Sequence, residues 1–140
     1  MCMRNNILFI DTSAWYAFFD KNDKMYETIN HIIKNAKEDL FTTNYIIDEL
    51  ITLFHVRKFS VSLYRSLIDD LFEENLCFLQ YVTKAIDKFA WEIKNKYADH
   101  EFSFTDCTSF AVMKENNIPL ACSLDKHFKE FGVQVIPEIN

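Results

Sequence analysis

The amino-acid sequence predicts an α/β fold: a five-stranded parallel sheet with about seven helices on both faces. Three observations carry this expectation. Short apolar runs alternate with stretches of helical apolar spacing along the whole chain. No repeat, low-complexity tract or Pro/Gly/Ser-rich linker interrupts the 140 residues, so a single domain over 1–140 is expected. Hydrophobic residues make up 49% of the sequence, enough for a core on both sides of a sheet.

The elements follow in order. "ILFI" (7–10) reads as a buried strand, and residues 13–19 as a short helix directly behind it. Residues 24–36 continue as helix, with Met25, Ile29, Ile32 and Ile33 at helical spacing. "LFTT" (40–43) is strand-like, and Asn44 suits the cap of a helix running to about Lys58. Ser60 or Ser62 opens the next helix, to about Asn75, before the strand "CFLQ" (77–80). Thr83 precedes a helix carrying Ile86, Phe89, Ala90 and Ile93. "SFTDCTSFAVMKENN" (103–117) begins with capping residues and turns helical. "IPLACS" reads as a strand, "DKHFKEF" as a short helix closed near Gly132, and "VQVI" as the last strand.

Composition removes several classes of function. Gly132 is the one glycine, so phosphate-binding loops, dinucleotide fingerprints and G-x-S-x-G nucleophile elbows are excluded. Cys2, Cys77, Cys107 and Cys122 lack zinc-ligand spacing and read as reduced, buried thiols. His31, His55, His100 and His127 lack the close pairing of a histidine metal site and read as surface or partly buried side chains. No apolar run is long enough to span a bilayer, and "MCMRNN" does not resemble a signal peptide. A cytoplasmic protein without membrane contact is expected. The formal charge of −6 argues against nucleic acid, but setting four acids aside as metal ligands leaves −2.

The distribution of acids is more telling. Ligands of open parallel sheets bind beyond the carboxyl ends of the strands. Asp11 ends the first strand, Asp106 opens the helix before "PLACS", and Asp125 stands at the start of the helix after it. Helix capping alone would account for each of these taken singly. Glu49 lies within a helix, where Ile46, Ile47, Leu50, Ile51, Leu53 and Phe54 form a broad apolar face. Asp48 points away from that face, whereas Glu49 flanks its edge; an ordinary exposed glutamate is the alternative. Clustered carboxylates repel one another, and divalent cations offset that cost. Oxygen ligands without Cys or His suit magnesium or manganese, and a pair of such ions about 4 Å apart can cleave a phosphodiester.

With these acids placed, the chain resembles the PIN-domain family, and within it the VapC-type toxins of toxin–antitoxin pairs. The resemblance spans about residues 7 to 137. It rests on "FIDTSAWYAFFD", "TTNYIIDELITL", "FSFTDCTSFAVMKENNI" and "PLACSLDKHFKEFGVQVIP". It implies a PIN-like three-layer fold and a metal-dependent endoribonuclease. Asp11, Glu49, Asp106 and Asp125 would be both catalytic residues and ligands of Mg2+ or Mn2+. Ser13 would hold a ligand or water, Ser103 and Thr105 would shape the third motif's turn, and Ser123 stands where the family often has threonine. Asp99 is an outer acid or, more simply, a solvated one. The implied partners are a structured RNA such as transfer or ribosomal RNA, a cognate antitoxin protein and a second copy in a homodimer.

Basic residues near the motifs are candidates for phosphate contact: Lys126 and Lys129, Arg57 and Lys58, and Arg4, Lys21 and Lys24. Trp15, Tyr16 and Phe19 recur at helical spacing and suit core or dimer packing, while Tyr45 is a candidate for base stacking. Two other readings compete. One is a catalytically inactive PIN-like module that binds RNA or protein. The other is a different α/β phosphoryl-transfer protein. A haloacid-dehalogenase-like phosphatase wants an Asp where Ser13 stands, and a receiver domain wants a lysine that "VQVIPEIN" lacks.

Overall fold

The computed structural model describes residues 6–138. The chain runs β1 (Ile7–Ile10), α1 (Thr12–Phe19), α2 (Tyr26–Lys34), β2 (Asp39–Thr43), α3 (Asn44–Val56), α4 (Val61–Phe72), β3 (Phe78–Gln80) and α5 (Lys84–Lys96). It continues with α6 (Phe104–Glu115), β4 (Leu120–Cys122), α7 (Lys126–Phe131) and β5 (Gln134–Ile136). The expected five parallel strands and seven helices are present. The spatial order is β3-β2-β1-β4-β5, with every neighbouring pair parallel.

That order follows from burial. All four residues of β1 are buried, so this strand needs cover on both faces and takes the centre of the sheet. The edge strands β3 and β5 carry partly or fully exposed residues instead. The chain winds outward from β1 to β2 and β3, then crosses back to β4 and β5 on the other side. The reversal opens a crevice beyond the carboxyl ends of β1 and β4, where the first helices of the two halves diverge. Backbone pairing draws those ends together, since the Asp11 amide donates to the Cys122 carbonyl at 3.0 Å.

Aromatic packing holds the helices in place. Tyr16, Phe19, Phe54 and Phe59 interlock, and Phe54 stacks on Tyr64 with centroids 4.5 Å apart. Trp15 is fully buried, and its indole donates to Thr42 Oγ1 at 3.4 Å. On the other side, Phe110 stacks on Phe131 at 4.2 Å. Helix α6 is buried continuously from Asp106 to Met113, which carries one acid deep into the fold. Cys77, Cys107 and Cys122 are free, buried thiols, and burial pushes the Cys122 thiol up to about 12. Cys2 and Arg4 fall outside the described residues.

Several element boundaries differ from expectation for local reasons. The cap of α3 is Thr43 rather than Asn44: the Thr43 hydroxyl accepts from the Ile46 amide at 3.1 Å. Asn44 instead accepts from the Val82 amide at 2.7 Å, tying the exit of β3 to the start of α3. Helix α2 begins at Tyr26 because Asp23 turns the chain, its side chain accepting from the Met25 amide. Helix α4 stops at Phe72, and Glu74 adopts a left-handed φ of 58°. Gly132 closes α7 at a φ of 103°, a conformation that glycine adopts without a Cβ penalty.

Candidate metal centre

Four acids from four elements meet at the crevice between β1 and β4. Asp11 follows β1, Glu49 lies in α3, Asp106 in the first turn of α6, and Asp125 precedes α7. Their charges act on one another: Asp11 is repelled by Asp106 and Glu49, and Glu49 by Asp106 and Asp125. Asp125 likewise repels Asp106. Side chains more than 100 positions apart in the sequence thus share one small volume.

Asp11 stands in the position of a helix cap but does not perform that task, since its side chain makes no cap hydrogen bond to α1. Oδ2 instead accepts from Ser13 Oγ at 3.1 Å and from Ser123 Oγ at 2.9 Å. The two serine hydroxyls are themselves committed. Ser13 Oγ accepts from the Leu124 amide at 2.9 Å, and Ser123 Oγ from the Asp125 amide at 3.0 Å. Both hydroxyls therefore fasten the loop after β4 to the start of α1. Burial lifts the Asp11 carboxyl to about 7, despite the Ser123 hydrogen bond that favours its charged form.

Asp106 is the N3 residue of a capping box. Its amide donates to Ser103 Oγ, and its Oδ2 accepts from the Ser103 amide, each at 3.0 Å. Burial raises its pKa, and hydrogen bonds from the Ser103 amide and His127 oppose the rise. Burial also raises Glu49, with the charges of Asp106 and Asp125 adding to the effect. Asp125 does cap its helix, its Oδ1 accepting from the His127 amide at 3.0 Å. Capping and membership of the cluster are thus compatible at Asp106 and Asp125, while Asp11 serves the cluster alone.

His127 is the residue that sequence reasoning did not connect with the acids. Its Nδ1 lies 2.8 Å from Asp106 Oδ2 and 3.3 Å from Asp125 Oδ1. Asp106, Asp125 and His127 together present ligand atoms that all lie within 4.8 Å of one another. The available signal was spacing. A residue two places after a helix-capping aspartate lies in the first turn, at the end of the helix that faces the crevice.

The other candidates divide. Lys126 begins α7 beside Asp125, and Lys126 and Lys129 line a cavity of about 410 Å³ that Ser123, Leu124 and Asp125 also border. Arg57 and Lys58 follow the C-terminal end of α3, about 12 Å along the helix axis from Glu49. There the Arg57 guanidinium lies over the Tyr16 ring, 4.4 Å from its centroid. Thr105 contributes its carbonyl, which accepts from Thr108 Oγ1 at 2.7 Å. Asp99 is exposed and pairs with its neighbour His100 at 3.0 Å. Tyr45 donates to Asp87 Oδ1 at 2.8 Å, and its ring lies 6.5 Å from that of Phe104.

The donor set fits a hard divalent cation. Carboxylate oxygens dominate it, their mutual repulsion is uncompensated by any lysine or arginine among their hydrogen-bond partners within the described residues, and burial makes that repulsion costly. The Thr12 hydroxyl adds to this picture. It is buried without a hydrogen-bond partner among the described residues, yet close enough to Glu49 to favour the charged carboxylate.

Comparison with known proteins agrees with this geometry. The PIN domain family model matches residues 8–134. The 23S rRNA-specific endonuclease VapC20 of Mycobacterium tuberculosis is 29% identical over 133 residues, covering 94% of this chain and all of the relative. A VapC ribonuclease of Archaeoglobus fulgidus is 27% identical over 124 residues, covering 85% of this chain and 77% of that one. The crystal structure of the M. tuberculosis VapC20, described as a Sarcin-Ricin loop cleaving toxin, superposes with a TM-score of 0.82 at 27% identity. That superposition covers 90% of this chain and 95% of the other. FitAcB from Neisseria gonorrhoeae shares the fold, with a TM-score of 0.69 at 15% identity over 92% of this chain and 95% of that one. With the fold, the acid-lined crevice and a family match over nearly its whole length, this chain belongs to the PIN domain family.

Proposed function

We propose that this protein is a metal-dependent endoribonuclease, the toxin of a toxin–antitoxin pair, that cleaves phosphodiester bonds in structured RNA. The observation that carries the reading is the convergence of Asp11, Glu49, Asp106 and Asp125 at the topological crevice of the sheet. These four residues would hold Mg2+ or Mn2+. A divalent cation bound there supplies Lewis-acid polarisation of the phosphodiester and offsets the negative charge that builds up during hydrolysis.

The chain's own residues divide the remaining work. Asp11 commits Oδ2 to Ser13 and Ser123, and the Thr12 amide also favours its charged form; Oδ1, without a side-chain partner among the described residues, would face the cation. Ser13 and Ser123 hold that carboxylate at a fixed distance from the loop carrying Asp125. Lys126 and Lys129, on the rim beside Asp125, attract the phosphate backbone that the acids alone would repel.

The identity with VapC20 across nearly the full chain favours ribosomal RNA as the substrate class. An antitoxin protein and a second copy of the chain are the proposed partners. Val56, Val61 and Leu63 are exposed around the α3–α4 junction and offer an apolar strip that a protein partner would cover. Among the described residues no helix is long and apolar enough to cross a membrane.

Incubation of total RNA with the purified protein tests the activity. Cleavage is expected with magnesium or manganese, and none with EDTA or with Asp11→Asn or Asp106→Asn. Sequencing of new RNA 5′ ends would identify the target. Cleavage that persists in EDTA and in both variants would refute the reading. Light scattering after gel filtration tests the homodimer, and co-purification with the product of a neighbouring reading frame tests the antitoxin.

A further inference from the structure

The hydrogen bonds around His127 assign particular oxygens of the cluster to particular tasks. Asp106 Oδ2 accepts from the Ser103 amide at 3.0 Å and lies 2.8 Å from His127 Nδ1. When Asp106 is ionised it can only accept, so this contact then requires the hydrogen on Nδ1. Asp125 Oδ1 accepts from the His127 amide at 3.0 Å and lies 3.3 Å from the same Nδ1. One oxygen of each aspartate is therefore held by protein donors. The other, Oδ1 of Asp106 and Oδ2 of Asp125, has no hydrogen-bond partner among the described residues.

The imidazole is well fixed for such a task. Its side chain is 17% exposed, and its ring meets the edge of Phe102, itself buried, with centroids 5.6 Å apart. We propose that His127 is a positioning residue that acts through its Nδ1–H. It braces Asp106 and Asp125 so that their two unpartnered oxygens are presented together to a divalent cation. This inference rests on the metal-centre reading given above.

The alternative, His127 as a direct ligand, conflicts with the capping box. The Ser103 amide secures Asp106 Oδ2 on the protein side, and Nδ1 faces that same oxygen. Nδ1 is the ring nitrogen that faces both aspartates, so ligation of a cation between them would cost Nδ1 its hydrogen and this contact. A donor that holds a ligating carboxylate from the protein side is an outer partner, and loss of such a partner weakens metal binding about 10- to 100-fold.

Manganese binding to the full-length protein, followed by calorimetry and by EPR, tests the assignment. His127→Leu removes the donor and should weaken Mn2+ binding by about 10- to 100-fold. His127→Asn supplies an amide N–H at the position of Nδ1 and should restore affinity to within a few-fold of wild type, a rescue that a purely space-filling role would not show. Pulsed EPR of the Mn2+-loaded wild type needs no variant and should show no directly bound nitrogen. Strong nitrogen coupling would overturn the assignment, as would wild-type affinity in the Leu variant or equal weakness in the Asn variant, with the metal centre left standing. A wild-type protein that does not bind Mn2+ at all would overturn the metal centre and this inference with it.

Discussion

Ser123 Oγ donates to Asp11 Oδ2 at 2.9 Å, joining side chains 112 positions apart in the sequence. Ser13 Oγ reaches the same oxygen and lies 3.5 Å from Ser123 Oγ. The first acid of the cluster is thus held by hydroxyls from both halves of the sheet. Ser123→Ala removes the shorter of the two bonds. It should weaken Mn2+ binding by about 10- to 100-fold, as expected for a partner that orients a ligand. The accompanying loss of stability should be about 1 kcal/mol. Calorimetry and thermal unfolding of the same sample would check both.

Asp11→Asn separates function from stability. The amide oxygen still accepts from Ser13 and Ser123, but the buried charge is gone. RNA cleavage should fall by more than about 100-fold, beyond what loss of an orienting partner costs. At pH 8 without metal, the variant should nevertheless unfold at a higher temperature than wild type. The gain is on the order of 4 kcal/mol at most, from a carboxyl raised from 3.8 to about 7. Scanning calorimetry in EDTA would measure it.

The same shift gives a pH dependence of definite sign. Between about 4 and 7 the folded protein keeps the Asp11 proton that the unfolded chain gives up. This group's contribution is therefore most favourable at the acid end of that window, declines as pH rises, and reaches its full cost above 7. Burial raises Glu49 and Asp106 as well, so they act in the same direction. The melting temperature of the metal-free protein should rise on going from pH 8 to pH 6. Asp11→Asn or saturating Mn2+ should flatten that slope.

The helix that carries Glu49 depends on the Thr43 hydroxyl. Thr43→Ala should cost about 1 kcal/mol, while Thr43→Ser keeps an oxygen for the Ile46 amide and should cost far less. For a domain of this size the alanine variant corresponds to a fall of about 4 °C in the melting temperature.

Salt dependence should tell the basic residues apart. Lys126→Ala and Lys129→Ala each remove a cation from the cavity that Asp125 borders, so each should lower the salt slope of RNA binding by about one. Arg57→Ala should leave the slope unchanged, because its guanidinium lies over Tyr16 beyond the far end of α3. Binding titrations at several salt concentrations, with Asp106→Asn as the non-cleaving background, would show the difference.

Much of this architecture was legible in the sequence, because apolar runs and helical spacing are local signals. "ILFI" and "LFTT" read as strands since their burial leaves few polar positions, and the buried faces of α1 and α3 were visible as periodic hydrophobics. The acids could be placed at the sheet's carboxyl edge because strand ends and helix starts mark that edge. What stayed hidden depends on long-range contact. Thr43 and Asn44 are both good caps, and only the Val82 amide, 38 residues away, decides which of them is released from the helix. His127 offers no pair of histidines to notice, and its importance lies in Asp106, which reaches it from another helix. Arg57 followed the motif helix in sequence, but its helix carries it away from the crevice to an aromatic ring.

The outward-and-back winding of the sheet also sets a timetable for synthesis. A growing chain carries Asp11 from the start, but the Ser123 hydroxyl and Asp125 emerge only after four strands and six helices have been made. Until then the first carboxylate lacks both its Ser123 hydrogen bond and the last of its three acidic companions. Whatever chemistry the crevice performs must wait until the second half of the sheet has been made.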